Sequence, residues 1–304
     1  MQLVKNFKGL NNVADPLRLG LSWLVQADNV DITDTAAIKK RAGYVRTATG
    51  SFTAAYSTLD FSRLYVVDGG ALKAMTGPAS SVTLRSGLSS APMHWCEVNE
   101  NVFFNNGVDS GTIRPDHTIQ PWRAAAIADT EFLDADGKLR PTLHSALPLG
   151  ATVIQFWAGR IHAAQYFAAE NQTVVWISQP LGYHLFALDS DFFLVPGEVT
   201  MLAPHASALV VGTDVEMYAY NAESIVKLAD YGVVPGQHWA TDEERILFWS
   251  KRGLCAALPF ANLTDSRVSV APGLKAGGAV VLDQGRKRYV AALQVGGSPF
   301  NSLL

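Results

Sequence analysis

The chain has 304 residues, of which 48% are hydrophobic and 17% charged, and its formal net charge at pH 7 is −3. This composition can fill a sizeable core, and the lack of a basic excess speaks against a dedicated nucleic-acid binder. No apolar run approaches the ~20 residues of a membrane-spanning helix, and the segment from Met1 to Leu10 does not resemble a signal peptide. Cys96 and Cys255 have no Cys or His neighbour at metal-ligand spacing, which predicts two buried free thiols.

The first 50 residues predict an extended N-terminal arm. Asp15 precedes a proline, which favours an extended backbone, and residues 26–32 alternate as a short strand does. A basic turn, Lys39-Lys40-Arg41, follows, and we interpret it, like Arg286-Lys287-Arg288 near the other end, as a solvated turn. The arm lies either on a neighbouring molecule or on its own chain, where it supplies a closing strand. The sequence leaves both possibilities open.

Six hairpin units follow the arm. Each unit is a short apolar run, a tight turn containing Gly, Asn or Asp, and a second apolar run. Valine, isoleucine and aromatic residues suit strands, and Gly, Asn and Asp tolerate the positive φ of tight hairpin turns. The first runs span 64–67, 102–104, 153–157, 208–211, 246–249 and 280–282, and the returning runs span 71–75, 112–113, 160–164, 215–220, 254–258 and 288–293.

The spacing of these units predicts the fold class. Successive turns lie roughly 35–55 residues apart, and propeller blades repeat about every 40–50 residues. We therefore predict an all-β protein, a β-propeller of about six blades with an extended N-terminal arm. The predicted domains are the arm and entry strand at 1–50, the propeller at 51–297 with an insertion at about 114–150, and a C-terminal tail at 298–304.

No pattern in the sequence predicts catalysis, a metal site or a cofactor. Carboxylates cluster at Asp189 and Asp191 and again at Asp242, Glu243 and Glu244, but both clusters fall in polar loops. There is no Gly-x-Ser-x-Gly elbow, Walker loop or His-Glu-x-x-His sequence. The seven histidines are scattered singly, and His162, among apolar strand residues, is expected to be a hydrogen-bonded core residue. We therefore expect no enzyme activity.

The order of several short segments resembles tail proteins of tailed bacteriophages. In the propeller-containing tail-hub, nozzle or DNA-stabilisation proteins of short-tailed phages, a Phe-x-Gly-Leu-Asn segment leads to an Asn-Val-Asp-Ile strand and then to a basic turn ending in Gly-Tyr. Here the matching pieces are 7–11, 29–32 and 40–44. Further pieces similar to its blades lie at 209–213, 231–236, 248–255 and 285–293.

This resemblance implies a structural role in the virion. The protein would form a ring of copies, such as a hexamer, in the tail or neck, contact portal, adaptor or tail proteins, and retain or conduct DNA. It would be made in the host bacterial cytoplasm, without inserting into a membrane. Because DNA must slide past such a ring, we expect no tight DNA binding. Large apolar groups dominate protein interfaces, so the expected assembly contacts are Phe7, Leu10, Leu17 and Trp23.

Two other functions stay open. A receptor- or glycan-binding propeller would need exposed aromatic side chains in its loops, for which Trp122, Tyr183 and Trp239 are candidates. A glycoside hydrolase would need a pair of carboxylates flanking the scissile bond, which only the two clusters above could supply.

Overall fold

A computed structural model describes residues 6–33, 35–41, 45–122, 145–242, 244–283, 285–294 and 302–303. These residues form strands, turns and bends, and no helix. None of the described segments therefore has the long apolar helix that crossing a bilayer would require. The contacts divide the chain into two compact units: a larger unit, residues 47–237, and a smaller unit, residues 1–46 with 238–304.

The N-terminal segment of the smaller unit contains two short strand pairs. In the first pair, β1 and β2 run parallel, and in the second, β3 and β4 run antiparallel. The four strands are β1 (Gly9–Leu10), β2 (Trp23–Leu24), β3 (Val30–Ile32) and β4 (Ile38–Lys40). The extended, short-stranded character predicted for this region is present.

The larger unit consists of four sheets, each a meander of four antiparallel strands in chain order. The first sheet contains β5 (Phe52–Ser57), β6 (Leu64–Asp68), β7 (Ala71–Met75) and β8 (Ser81–Arg85), and the second contains β9 (His94–Val98), β10 (Asn101–Asn105), β11 (Ser110–Ile113) and β12 (Ile119–Gln120). The third contains β13 (Ala151–Trp157), β14 (Arg160–Phe167), β15 (Gln172–Ile177) and β16 (Phe192–Pro196), and the fourth contains β17 (Val199–Pro204), β18 (Leu209–Thr213), β19 (Met217–Tyr220) and β20 (Ile225–Ala229).

The smaller unit continues the pattern with two further sheets. The fifth has four strands and the sixth has three, again in chain order. They are built from β21 (Ala240–Asp242), β22 (Arg245–Ser250), β23 (Gly253–Ala257), β24 (Ala261–Asn262), β25 (Lys275–Asp283), β26 (Arg286–Gln294) and β27 (Ser302–Leu303). Two residues of the predicted C-terminal tail thus form the third strand of the sixth sheet.

Apolar side chains fill the space between successive sheets of the larger unit. Between the first and second sheets the core includes Tyr65, Trp95 and Phe104. A second cluster contains Phe103 and Ile161 and joins the second and third sheets. A third cluster joins the third and fourth sheets and includes Val175, Leu202 and Leu209. The first strands of neighbouring sheets, β9, β13 and β17, also lie next to one another in turn, which is the way propeller blades stack on their inner strands.

The six hairpins predicted from the sequence are all present, and the fold class is confirmed. Local turn chemistry explains why: Gly69 and Gly70 at the β6–β7 turn have φ of 57° and 74°, values that glycine adopts without steric cost. The two cysteines are free and buried, as expected. The predicted insertion at 114–150 falls largely on residues 123–144, which lie outside the described part of the chain.

Candidate assembly surface

The parallel pairing of β1 and β2 produces an exposed apolar loop. Gly9 pairs with Trp23 and Leu10 with Leu24, so the two ends of the loop at 11–22 are brought together. At the tip, the Leu17 side chain is 94% exposed, and Val13 and Leu21 are also exposed. We call this segment the apolar loop.

Side chains of the loop fix its backbone. The Asn11 side-chain oxygen accepts hydrogen bonds from the Val13 and Ala14 amides at 3.2 and 3.1 Å. The Asp15 carboxylate accepts one from the Leu17 amide at 3.0 Å. Asn and Asp form such local turns readily. The apolar side chains at the tip are therefore presented by an ordered backbone.

The four residues expected to make assembly contacts have different surroundings. Leu17 is exposed, whereas Phe7, Leu10 and Trp23 are half-buried within the N-terminal segment. The Phe7 amide donates to the Ala36 carbonyl at 2.9 Å, and Leu10 belongs to β1. Of these four residues, only Leu17 presents most of its surface to solvent, and the sequence analysis did not single out its exposed neighbours Val13 and Leu21.

The loop is bonded to the segment that follows the fifth sheet of its own chain. The Asn12 amide donates to the Arg267 carbonyl at 3.0 Å, and the Asn12 side chain exchanges two hydrogen bonds with the Ser269 backbone at 2.9 and 2.7 Å. The Arg267 guanidinium also lies over the Trp23 ring, 5.9 Å from its centre. Of the two placements left open for the arm, these contacts favour the one on its own chain.

A second attachment is an ion-pair network centred on Asp31. One carboxylate oxygen lies 2.8 Å from an Arg288 nitrogen, and the other lies 3.3 Å from the Arg41 side chain. The Arg288 hydrogen bond, with Arg41 adding to it, lowers the pKa of Asp31. One arginine of each basic tripeptide, Arg41 and Arg288, therefore contacts the same carboxylate, whereas Lys39, Lys40 and Lys287 are exposed as predicted for solvated turns. The shared contact depends on tertiary structure, because the two tripeptides are far apart in sequence.

Other segments that carry the resemblance also contact one another. The piece at 209–213 pairs with the piece at 231–236 through a 2.8 Å hydrogen bond from the Val233 amide to the Thr213 carbonyl. A Cβ added to Gly212 would lie 2.4 Å from the Val233 side chain, and one added to Gly232 would lie 2.0 Å from the Asp214 carbonyl oxygen. These glycines permit the close approach of the two segments, which gives the motif a packing role.

One carboxylate of each cluster considered for hydrolysis forms an ion pair. Asp191 lies 3.1 Å from Arg160 and accepts a 2.8 Å hydrogen bond from the Gln179 side chain. Asp242 lies 3.3 Å from Arg245 and 3.9 Å from Lys287. Glu243 lies outside the described residues. Among the residues that the structure describes, no three His, Cys, Asp or Glu side chains are grouped so that they could hold a metal ion.

The aromatic side chains proposed for glycan binding are not displayed as a platform. Trp122 is only 2% exposed, and its indole nitrogen donates to the Tyr183 carbonyl at 2.9 Å. Tyr183 and Trp239 are half-buried. The Trp122 and Tyr183 rings pack on Phe103 and line the floor of a shallow depression of about 370 Å³, with Arg114 on its wall. Trp122, one of the three candidates for an exposed aromatic side chain, is instead packed between the second and third sheets.

His162 is a core residue, as expected. It is 2% exposed, and its ring lies 5.6 Å from the centre of Trp157 and 6.1 Å from that of Tyr220. Burial lowers its pKa to about 4. The expected hydrogen bonding of the ring is not found at Nδ1, which has no hydrogen-bonding partner among the described residues.

Similarity to one solved structure supports the fold class. The gluconolactonase XC5397 from Xanthomonas campestris superposes with a TM-score of 0.50 at 11% identity, covering 82% of this chain and 85% of its own. The extracellular domain of BT4673 from B. thetaiotaomicron superposes with a TM-score of 0.49 at 9% identity over 81% of this chain. This chain covers 32% of that structure, so it spans about a third of its length.

The similarity to XC5397 indicates a fold class and not a function. No protein-family model and no curated protein matches the chain. At 11% identity, the similarity to the propeller protein XC5397 shows a shared fold alone. The chain is thus an all-β protein of the β-propeller class, with an N-terminal segment bonded to the later part of its own sequence.

Proposed function

We propose that this protein is a structural component of a tailed-phage virion, part of the tail or neck in the manner of a nozzle or hub protein. Copies would assemble into a ring, such as a hexamer, that retains or conducts DNA. Its partners would be other copies and the portal, adaptor or tail proteins of the same virion. The protein would be made in the host bacterial cytoplasm, and we propose that it is not an enzyme.

The observation that carries this proposal is the apolar loop. Three aliphatic side chains exposed to water do not stabilise the loop that carries them. Exposed apolar surface marks contact sites in many proteins. Here Val13, Leu17 and Leu21 are exposed on a backbone that Asn11, Asn12 and Asp15 hold in place. A fixed apolar loop costs little conformational entropy when a partner covers it.

The ion-pair network supports the same proposal. Asp31 and Arg41 belong to two of the segments that resemble the phage family, and they join Arg288 in the last similar segment. This arrangement gives the motif residues a role in fixing the N-terminal segment. The ion pairs of Asp191 and Asp242 likewise support structural roles for those carboxylates, in preference to hydrolysis.

The glycan-binding alternative has no comparable support, because Trp122 is packed inside. It predicts retention on a polysaccharide column, which Trp239→Ala would abolish. We also expect no tight complex with DNA at about 0.15 M salt, since phosphate contacts that survive this salt would impede sliding.

The test is the effect of Leu17→Asp on the mass of the purified protein, alone and with lysate from phage-infected cells. We expect the wild type to form a higher-order assembly or to co-purify with virion proteins. We expect Leu17→Asp to abolish both, because a carboxylate is not easily buried in an apolar contact. Leu59→Asp, at a side chain that is also largely exposed but lies in the larger unit, is the matched control. Equal assembly of the two variants would contradict the proposal.

A further inference from the structure

The modest net charge of the chain conceals a strong separation of charge. The smaller unit contains 15 Lys and Arg residues against 9 Asp and Glu, a formal net charge of +6. The larger unit contains 9 against 18, a net charge of −9. Charge separated on this scale favours association with a partner of complementary charge and directs its orientation.

One group of cations in the smaller unit lies at the β3–β4 hairpin and at the tip of the β25–β26 hairpin. Arg41 and Arg288 share Asp31, and Lys287 lies next to Arg288. Lys39 is the cross-strand partner of Asp31, and Lys40 follows it on an exposed strand. We call Lys39, Lys40, Arg41, Lys287 and Arg288 the basic surface. Among the described side chains, Asp31 and Asp242 form ion pairs with these cations, and five cations against these two carboxylates leave a positive excess.

Aliphatic side chains lie among these cations. Ile32 and Ile38 are cross-strand partners on β3 and β4, and both are exposed. Leu282, the cross-strand partner of Lys287, is 75% exposed, and its neighbour Val281 is exposed too. Phosphate groups offer nothing to aliphatic surface, whereas protein interfaces combine apolar groups with a charged rim. The composition of the basic surface therefore favours an acidic protein over a nucleic acid.

A matching acidic surface is present in the larger unit, at three turns of the third and fourth sheets. The Gly197 amide donates to the Asn171 carbonyl at 2.9 Å, and the Asp214 amide donates to the Glu198 carbonyl at 2.8 Å, so these turns lie together. We call the following residues the acidic surface: Glu170, Glu198, Asp214, Glu216 and Asp230. Lys227 pairs with Glu216 and Asp230. Val215, between two of the acids, is exposed and adds an apolar group.

We propose that the basic surface of one copy binds the acidic surface of the next. The inference rests on the proposed function and specifies how its ring would be built. A contact between two different surfaces of the same chain is heterologous, and such contacts produce closed rings when the rotation between copies closes. The charges would orient each copy as it joins, and the exposed aliphatic side chains would be covered.

The experiment uses charge reversal in the full chain. Lys39→Glu with Lys40→Glu reverses two of the five charges of the basic surface, and Glu170→Lys with Glu198→Lys reverses two of the five charges of the acidic surface. We expect each double variant to lose about tenfold or more in self-affinity, measured by analytical ultracentrifugation over a concentration series. We expect wild-type assembly to weaken as NaCl rises from about 0.05 to about 0.5 M. Lys251→Glu with Lys275→Glu, in the same unit but away from the basic surface, is the control for net charge.

Mixing the two reversed variants gives the decisive result. The charges introduced in one variant are opposite in sign to those introduced in the other, and the unaltered surfaces of the two variants remain complementary. An equimolar mixture should therefore assemble although neither variant assembles alone. A mixture that stays monomeric, or reversed variants that assemble like the control, would overturn the head-to-tail contact.

Other outcomes separate this inference from the proposed function. Loss of assembly in Leu17→Asp with normal assembly of both reversed variants would retain the proposed function and refute the charge contact. Retention of duplex DNA that Lys39→Glu with Lys40→Glu abolishes, with self-assembly intact, would assign the basic surface to nucleic acid and overturn the inference. A wild-type protein that stays monomeric, without partners, at low salt would refute both.

Discussion

The larger unit and the N-terminal segment of the smaller unit are stabilised by different kinds of interaction. In the larger unit, three apolar clusters fill the space between successive sheets. In the smaller unit, hydrogen bonds from Asn12 and ion pairs from Asp31 attach the N-terminal segment to later parts of the chain. Apolar packing is insensitive to salt, whereas partly exposed ion pairs weaken as salt rises. Raising the salt concentration should therefore weaken the attachment of the N-terminal segment more than the packing of the larger unit.

The largest effect is expected from the core of the larger unit. Phe104 is fully buried between the first and second sheets, and its ring fills the space above Gly111, its cross-strand partner. Phe104→Ala removes this ring and leaves a cavity, so the free energy of unfolding should fall by about 3–5 kcal/mol. Urea denaturation at low and high salt should give the same loss.

The control for this variant is Val108→Ala at the exposed turn of the same sheet, which should change stability by less than about 0.5 kcal/mol. Equal losses in the two variants would show that packing at Phe104 does not determine the stability of this unit.

An intermediate effect is expected from pH, through His162. Its folded-state pKa is about 4 because burial penalises the charged ring, whereas an unfolded chain titrates near 6.5. Between these values the unfolded state binds more protons than the folded state. The neutral ring is therefore fully accommodated above about pH 6.5, and stability is lost as pH falls through this window, by about 3 kcal/mol at pH 4.

His162→Gln tests this assignment, because glutamine does not titrate. Between pH 7 and pH 4, the free energy of unfolding should fall less steeply in the variant than in the wild type. The difference in slope should correspond to up to about one bound proton, whatever the stability of the variant at pH 7. If the curves of variant and wild type remain parallel, the acid sensitivity of the larger unit has another source.

The hairpins were predictable from sequence because their signals are local. Gly69 and Gly70, both with positive φ, form the turn between β6 and β7, and an apolar run flanks this turn on each side. The position of a hairpin within its sheet was not predictable. The third and sixth hairpins form the first and second strands of their sheets, and the first hairpin forms the second and third, although the local patterns look alike. Strand position depends on sheet packing, which local spacing does not encode.

The candidate site was predictable only in part. Phe7 and Leu17 are both large and apolar, yet one is half-buried and the other exposed, because the β1–β2 pairing places Leu17 at a loop tip. Likewise, a formal charge does not reveal its partner. Asp31 forms one ion pair with Arg41 across a short hairpin and another with Arg288 near the far end of the chain. The spacing of these residues in the sequence does not predict the second ion pair.

The smallest effect, and the one that separates the two units most sharply, is expected from Asp31→Asn. The substitution keeps the shape of the side chain but leaves Arg41 and Arg288 without their shared carboxylate. Because all three side chains are partly exposed, we expect a loss of about 1–2 kcal/mol in low salt. Hydrogen exchange should accelerate at the Arg41 amide, which donates to the Asn29 carbonyl.

Salt dependence shows whether charge is the cause. In about 1 M NaCl the difference between Asp31→Asn and wild type should shrink, whereas the loss in Phe104→Ala should not. Asp265→Asn, at an exposed position of the same unit, controls for the removal of one negative charge. Arg288→Gln should reduce the free energy of unfolding much less in the Asp31→Asn background than in the wild type, because both changes remove the same contact. Additive stability losses in the double variant would contradict this expectation, as would equal losses in Asp31→Asn and Asp265→Asn. Either result would mean that the N-terminal segment is held by its backbone hydrogen bonds and not by the Asp31 ion pairs.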